Sequence, residues 1–218
     1  MVEVLARWQV STAREEILQR VRTAIGTQAP EEPVQREYRQ AGTLSEEAKI
    51  DLFIDRLHDY NAEVYRCAAG EEAVTIAEAL TARGKKRILI PPGFPAALLP
   101  TGPDFVRDTA LDYRDIDATE GALTCATAAI AMTGSLILTH SATEGRRALT
   151  LIPDYHLCVV YTNQLFETVP EGLRALGGRR TSPVTTIAGP SATADIEMTR
   201  VKGVHGPRVL DVIVVAAG

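Results

Sequence analysis

The sequence predicts an α/β fold whose sheet is mostly parallel and covered on both faces. From residue 62 onward, short apolar segments alternate with segments of helical periodicity, which is the pattern of strand–helix–strand units. The later apolar segments, such as LCVVY and VLDVIVV, are too apolar for a half-exposed sheet. Such strands are typical of parallel sheets with helices on each side. With 218 residues, 45% of them hydrophobic and 23% charged, the chain is long enough to build this core.

The first sixty residues favour helices. Two Thr-x-x-Glu sequences, beginning at Thr12 and Thr43, have the spacing of a capping box, and each precedes apolar residues at helical spacing. We therefore expect residues 1–60 to form an N-terminal helical segment that packs on the core, and residues 61–218 to form the α/β domain. The alternative is that these helices pack on a partner chain.

The sequence of the α/β region predicts strands and helices in a regular order. Glycines precede and close the first helix of this region, and two prolines stop the strand that follows it. We expect strands at residues 63–68, 87–90, 123–126, 135–139, 157–161, 184–188 and 209–215, and helices at residues 71–82 and from Asn163 to Leu176.

Charge and hydropathy exclude several classes of protein. The chain has 23 basic and 28 acidic residues, so its net charge of −5 argues against a broad nucleic-acid-binding surface. No apolar run approaches the ~20 residues of a membrane helix. The N-terminal residues lack an apolar segment followed by a small-residue cleavage site, so we expect no signal peptide and a cytoplasmic location.

The cysteines and histidines indicate no resident metal. Cys67, Cys125 and Cys158 lie far apart and form no CxxC pair, so one chain cannot supply four thiolates to an iron–sulfur cluster or a zinc ion. Small buried hydrophobic side chains are the simpler interpretation of these cysteines. The four histidines have no metal-ligand spacing, and we therefore expect neither a metal nor another cofactor in this chain.

The first candidate site lies around the strand at 135–139. Gly134 and Ser135 precede this strand, and the sequence HSATEGRR follows it. Gly134 allows a close approach of the backbone to a ligand, and Arg147 can hold a carboxylate or phosphate through paired hydrogen bonds. Glu144 is a candidate acid, base or nucleophile. The alternative is a plain β-hairpin with solvated arginines.

The second candidate site follows the strand at 184–188. Gly189, Ser191 and Thr193 come where a glycine turn would lead into a helix, an arrangement that exposes backbone N–H groups to an anion. Glu197 would lie near the start of that helix, where the helix dipole favours negative charge. The alternative is a capped structural helix without a ligand.

The third candidate site precedes the last strand, in the sequence GVHGPR. His205 can exchange a proton near neutral pH, and Arg208 can orient an anion. The alternative is that His205 bonds the backbone of a tight loop. His156 is interpreted as structural. We expect all three loops to meet at the carboxyl ends of the strands, where open α/β sheets bind ligands.

Four sequence runs carry a family resemblance. GPSATADIE, KGVHGPRVLDVIVV, TGSLIL and LTLIPDYHLCVVYTNQL resemble the LUD domain family, over roughly residues 85–218. The resemblance implies a three-layer α/β/α fold like that of ribose-5-phosphate isomerase, glucosamine-6-phosphate deaminase and the CoA transferases. One position departs from the family, because Met132 stands where members often have an acidic residue before the TG pair.

The resemblance also implies a function in L-lactate catabolism. Family members support the oxidation of L-lactate to pyruvate together with iron–sulfur subunits, so this chain is expected to be a cluster-free accessory subunit that binds a small anionic ligand. Whether it is itself an enzyme stays open. One alternative is a free-standing transferase or isomerase acting on a phosphorylated sugar or an acyl-CoA, with Glu144 or Glu197 as the nucleophile or base and His205 as the proton carrier. Another is a structural or regulatory module with an empty pocket.

Overall fold

The structure is a computed structural model that describes residues 12–26, 37–177, 183–193, 201–202 and 206–217. One compact unit comprises residues 1–38 and a second comprises residues 39–218. The predicted boundary at residue 60 stays a prediction, although the second unit contains the second helix as well as the sheets.

Five α-helices are described. They are α1 (Ala13–Ile25), α2 (Glu46–Asp59), α3 (Glu72–Ala82), α4 (Tyr113–Asp117) and α5 (Val169–Ala175). Short 3-10 turns occupy Ala96–Leu98, Ala131–Thr133, Arg147–Thr150 and Thr162–Gln164. No helix within the described ranges is long and apolar enough to cross a membrane.

The described strands form three sheets. They are β1 (Glu63–Cys67), β2 (Arg87–Ile90), β3 (Asp104–Arg107), β4 (Gly121–Cys125), β5 (Ala128–Ile130), β6 (Ser135–Leu138), β7 (Tyr155–Tyr161), β8 (Leu165–Phe166), β9 (Thr185–Ala188), β10 (Ala192–Thr193), β11 (Val201–Lys202) and β12 (Val209–Val215).

A six-stranded sheet forms the centre of the second unit. Its strand order is β1-β12-β7-β4-β2-β3, and every neighbouring pair is parallel. In this sheet His156 of β7 lies between Ala122 of β4 and Leu210 of β12. The predicted α/β fold with a mostly parallel sheet is therefore confirmed.

A smaller sheet has the order β8-β5-β6-β9. Its β5–β6 and β6–β9 pairs are antiparallel, whereas β5 and β8 are parallel. Strands β10 and β11 form a separate antiparallel pair. This second sheet matters for the site because β9, at its edge, runs past the beginning of two strands of the central sheet.

The core lies on both faces of the central sheet. On one face, Ile76 and Leu80 of α3 pack against Leu157 of β7 and Ile213 of β12. On the other face, α2 and the smaller sheet share one apolar cluster with β7 and β12. One covering layer is therefore a helix combined with a sheet, and α5 packs on the outer side of that smaller sheet.

The predicted N-cap is observed in α1, whereas α2 has a different N-cap from the predicted one. Thr12 and Glu15 form the predicted capping box of α1. Helix α2 begins at Glu46, and its N-cap is Ser45 rather than Thr43. The backbone N–H of Thr43 instead donates to the Glu167 carboxylate at 2.5 Å, which explains why Thr43 stands outside the helix.

The prediction of a helix that begins at Asn163 is wrong. Residues Thr162–Gln164 form a 3-10 turn, in which the Gln164 side chain accepts a hydrogen bond from the Tyr161 backbone N–H at 2.9 Å. The short strand β8 follows, and α5 begins only at Val169 after the N-cap Thr168. The apolar residues at helical spacing are thus divided between a strand and a shorter helix.

Candidate functional site

A cavity of about 250 Å³ lies between the two main sheets, and we call it the His156 cavity. His156 and Leu210, each the second residue of its strand, form one wall at the amino ends of β7 and β12. Strand β9 and the turn Gly189–Ser191 form the opposite wall. The expectation that the site lies at the carboxyl ends of the parallel strands does not hold for this cavity, because β7 and β12 contribute residues of their amino ends.

His156 is, with Thr150, one of two buried polar residues that line this cavity. Its side chain is only 1% exposed, and its Nε2 lies 2.8 Å from the Thr124 hydroxyl oxygen. Its Nδ1 has no hydrogen-bond partner among the described residues. A buried polar atom left without a partner costs roughly 1–3 kcal/mol. This nitrogen is therefore an unsatisfied buried atom in a residue that lines the cavity.

The imidazole of His156 is neutral at neutral pH. Burial lowers the pKa of His156 to about 4, because the charged ring would lose its hydration, and the positive charge of Arg147 lowers it further in the same direction. The cavity therefore offers a neutral hydrogen-bonding ring and not a second cation.

Arg147 provides the positive charge of the cavity. It begins the 3-10 turn Arg147–Thr150, and its Nη1 donates to the Thr150 carbonyl at 2.8 Å and to the Thr150 hydroxyl at 3.0 Å. These two bonds hold one arm of the guanidinium. The other N–H groups have no partner among the described residues, and a guanidinium of this kind can donate to an anion.

Two segments distant in the sequence form the rim. The backbone N–H of Ser191 donates to the Pro207 carbonyl at 2.8 Å. Gly206 has a φ of 149°, and a Cβ at this position would lie 3.5 Å from the Ser191 Cβ. Gly189 has a φ of 78°, and a Cβ there would lie only 2.5 Å from the Tyr60 Cβ. Glycine at 189 thus permits both the turn and its contact with Tyr60.

Three predicted ligand residues line the His156 cavity together: Arg147, Gly189 and Ser191. Arg208 lies outside the lining; it is exposed, and its Nε donates to Asp154 Oδ1 at 2.5 Å. The convergence of the first two candidate loops is therefore partial, and the arginine that reaches the cavity is Arg147.

Gly134 and Ser135 have structural positions away from the cavity. Gly134 ends the turn between β5 and β6 with a φ of 58°, and a Cβ there would lie 2.8 Å from the Arg56 Cβ. Ser135 is buried, and its hydroxyl donates to the Thr133 carbonyl at 3.4 Å. The hairpin interpretation of this segment accounts for both residues.

The prediction of a helix that starts at Ser191 is wrong, because Ala192–Thr193 form β10, and a helix capped by Thr193 would lie outside the described residues. Thr193 lies in β10 and pairs with Val201 of β11. This turn therefore presents the cavity with a strand connection instead of a helix N-terminus. Glu197 and His205 lie outside the described residues, so their predicted roles stay predictions.

Glu144 holds a loop together. Its side chain is 1% exposed and accepts hydrogen bonds from the Thr127 hydroxyl at 2.5 Å and from the backbone N–H groups of Thr139 and Ser141 at 2.7 and 3.0 Å. The same loop contains His140, whose Nδ1 donates to the Gly145 carbonyl at 3.0 Å. Glu144 is thus enclosed by donors and is not among the residues that line the His156 cavity.

The cysteines are protonated thiols in apolar surroundings. Burial raises the pKa of Cys125 to about 12, and burial also raises the pKa of Cys67 and of Cys158. Within the part of the chain that the structure describes, no three His, Cys, Asp or Glu residues are grouped as metal ligands.

His156, interpreted as structural from the sequence, is a candidate site residue because it lines the cavity. Its sequence signal is weak: it is a single titratable residue near the start of the apolar strand YHLCVVY. On that strand His156 faces the same side as Cys158 and Val160, which contact α2 and the smaller sheet. Only the three-dimensional structure shows that, among the described residues, one nitrogen of this ring has no partner.

Comparison with known proteins identifies relatives. A model of the LUD domain matches residues 105–215 of this chain. Lactate utilization protein C of Deinococcus radiodurans is 42% identical to it over 206 residues, which cover 93% of this chain and 95% of that protein. Lactate utilization protein C of Shouchella clausii is 31% identical over 106 residues, covering 46% of each chain.

A solved structure agrees with these matches. The crystal structure of a DUF162 family protein from Deinococcus radiodurans has a TM-score of 0.70 and 39% sequence identity, and the similarity covers 79% of this chain and 99% of that chain. The resemblance found in the four sequence runs is thereby confirmed, and the chain belongs to the LUD domain family.

Proposed function

We propose that this chain is an accessory subunit in the oxidation of L-lactate to pyruvate, acting with iron–sulfur partner subunits and binding a small anion in the His156 cavity. The observation that carries the proposal is the 42% identity to a protein named lactate utilization protein C over 93% of this chain. The cavity supports the ligand-binding part, because Arg147 offers free N–H donors beside a buried ring nitrogen without a partner among the described residues.

The division of labour follows from the chemistry. Oxidation of L-lactate to pyruvate removes two electrons and two protons, so an electron acceptor is needed. The three cysteines of this chain are far apart in the sequence, and burial raises the pKa of each thiol. In the proposed function the partner subunits carry the clusters and accept the electrons. This chain's own residues bind and orient the anion.

Growth on L-lactate tests the role in the cell. We expect a strain that lacks the gene to lose growth on L-lactate, to grow normally on pyruvate, and to recover when the full chain is expressed again. Normal growth of the deletion strain on L-lactate would overturn the role.

Copurification tests the assembly. A tagged full-length chain, isolated from cells grown on L-lactate, is expected to retain partner proteins that contain iron and acid-labile sulfide. A chain that is recovered alone under gentle conditions, while the deletion strain still fails on L-lactate, would overturn the subunit assignment. Turnover of a phosphorylated sugar or an acyl-CoA by the isolated chain would favour the free-standing enzyme instead.

A further inference from the structure

We infer that α1 is a docking helix for a second copy of this chain, and that the two α1 helices pair in antiparallel orientation. The surface that pairs is the apolar face of α1, which comprises Ile17, Leu18, Val21, Ala24 and Ile25. This inference goes beyond the proposed function, because it concerns how copies of the chain associate and not what they bind.

The described residues leave the apolar face of α1 exposed. Ile17, Val21 and Ile25 are 59%, 46% and 57% exposed, and no residue of α1 is buried by the described part of the chain. In α2, by contrast, Phe53 and Leu57 are fully buried. A helix of 13 residues is only marginally stable in water by itself, so α1 gains stability from a partner that covers this face.

The apolar face has the spacing of a coiled-coil seam. Leu18, Val21 and Ile25 are separated by three and four residues, as are the a and d positions of a heptad. Ile17 and Ala24 then take the g positions and widen the apolar stripe. The face is therefore complementary to a helix with the same spacing, and a second copy of α1 provides one.

The charges beside the seam favour an antiparallel second copy. Glu15 and Arg22 take the two e positions of α1. In an antiparallel pair e positions face e positions, so Glu15 of each copy lies opposite Arg22 of the other. The Glu15 carboxylate also accepts a hydrogen bond from the Thr12 backbone N–H at 3.0 Å, and it has acceptor sites for both partners. One surface thus forms two opposite-charge contacts with itself, as two-fold symmetry requires.

Arg14 argues against a parallel pair. It takes the d position one heptad before Val21, so the two Arg14 side chains of a parallel pair would face each other. In the antiparallel pair Arg14 lies near the C-terminal end of the other helix, where the helix dipole favours a positive charge. Arg20 lies outside this surface and pairs with Glu16 of its own helix at 2.5 Å.

Sedimentation velocity of the full-length chain tests the association. The 13 residues of α1 span about 20 Å, so the contact is smaller than a standard protein interface. We therefore expect a reversible dimer whose population rises between micromolar and millimolar concentrations of the chain.

A variant in the seam and a matched control locate the contact. Val21→Lys places a charge in the apolar face of both copies and is expected to weaken association by at least about 10-fold. Thr23→Lys adds the same charge on the opposite side of the same helix, at an exposed position, and should leave association unchanged.

A mixing experiment tests the antiparallel orientation. Arg22→Glu alone places two carboxylates opposite each other, and Glu15→Arg alone places two guanidinium groups opposite each other. Each variant is therefore expected to associate about 10-fold more weakly than the unmodified chain. An equal mixture has opposite charges at both contacts and should associate more tightly than either variant alone. Loss of the capping box in the Glu15 variant persists in the mixture, so this recovery cannot come from helix stability.

Each outcome decides the inference. A chain that stays monomeric up to millimolar concentration would overturn the pairing, and a loss of stability in its Val21→Lys variant would favour packing on the chain's own core. Equal association of Val21→Lys and Thr23→Lys would place the contact on another surface. A mixture that associates no more tightly than its components would overturn the antiparallel orientation. None of these results depends on growth on L-lactate, so the proposed function is tested separately.

Discussion

Arg83 and Asp211 form a paired hydrogen bond that fixes α3 on the central sheet. The Nε and Nη2 atoms of Arg83, at the end of α3, donate to the two carboxylate oxygens of Asp211 at 2.9 and 2.7 Å. Asp211 lies on β12 and is fully buried, and the Tyr155 hydroxyl donates a third bond to it at 3.0 Å. The carboxylate is therefore satisfied although water does not reach it.

Removal of Arg83 should destabilise the fold. In Arg83→Gln the buried charge of Asp211 keeps only the bond from Tyr155, and loss of one partner of a buried pair costs about 3–5 kcal/mol. Because the Arg83 side chain is 35% exposed, we expect the lower part of this range or slightly less, about 2–3 kcal/mol. Urea unfolding followed by circular dichroism measures it.

Arg87→Gln is the matched control for this variant. Arg87 pairs with Asp104 at 3.8 Å, and both side chains are more than half exposed. Exposed pairs contribute only about 0–1 kcal/mol, so the free energy of unfolding should hardly change. Similar losses in the Arg83 and Arg87 variants would contradict the assignment of a buried anchor.

Gly189→Ala should destabilise the fold and distort the cavity wall. Its φ of 78° is unfavourable for alanine, and the new Cβ would lie 2.5 Å from the Tyr60 Cβ, so the turn or α2 must shift. We expect a loss of about 2–4 kcal/mol from strain and overpacking together. Gly70→Ala is the control, because φ there is 94° but nothing lies within 4 Å of the added Cβ, so only about 1 kcal/mol should be lost. Equal losses would show that the contact with Tyr60 is not what requires glycine.

Because His156 is buried as a neutral ring, we expect the free energy of unfolding to depend on pH. Its pKa is about 4 in the folded chain and near 6.5 when unfolded, so below pH 6.5 the unfolded chain binds more protons. The stabilising effect of the neutral ring is complete above pH 6.5 and is lost as the pH falls toward 4, by about 3 kcal/mol in all. Arg147 is the charged group whose field acts on this ring.

NMR titration and unfolding curves measure this dependence. The His156 ring signals should stay constant between pH 8 and about 6, because the folded pKa lies well below this window. The stability difference between the unmodified chain and His156→Gln should shrink from pH 7 to pH 5. A titration of His156 near pH 6.5 in the folded chain would contradict its burial as a neutral ring.

The variant Glu144→Gln tests whether the Glu144 carboxylate stabilises its loop. The amide places an NH₂ group where the carboxylate now accepts bonds from Thr127, Thr139 and Ser141, so at least one donor loses its acceptor. We expect a loss of about 1–3 kcal/mol in the free energy of unfolding and faster amide hydrogen exchange in residues 139–145. Glu46→Gln, at an exposed carboxylate on α2, is the control and should change neither. Unaltered exchange in the loop would show that Glu144 does not hold it.

Burial decided which parts of the fold the sequence could predict. The strands at 87–90 and 209–215 have the predicted bounds, because a strand that is covered on both faces is mostly apolar, here with Arg87 and Asp211 as the charged exceptions. Strands β3 and β5 were missed: β3 is an edge strand with charged ends, and β5 has only three residues. Such segments carry no periodicity long enough to detect, and only pairing with a neighbour makes them strands.

The site was predictable only where it depends on local turn chemistry. Glycine beside polar residues pointed to Gly189 and Ser191, and the arginine pair pointed to Arg147; all three line the cavity. Which group forms a hydrogen bond with a buried polar atom depends on how the sheets pack together in the folded chain. Sequence alone could not show that Nδ1 of His156 has no partner among the described residues, nor that Glu144 is enclosed by donors.

The position of β12 has a consequence for how the chain folds on the ribosome. Among the described strands of the central sheet, β1 has only β12 as a neighbour, although residues 63–67 are synthesised long before residues 209–215. The backbone of the early strand must therefore stay unpaired in this sheet until residues 209–215 have emerged. Contacts between such distant segments slow folding, so a nascent chain of this topology depends on protection against aggregation during its synthesis.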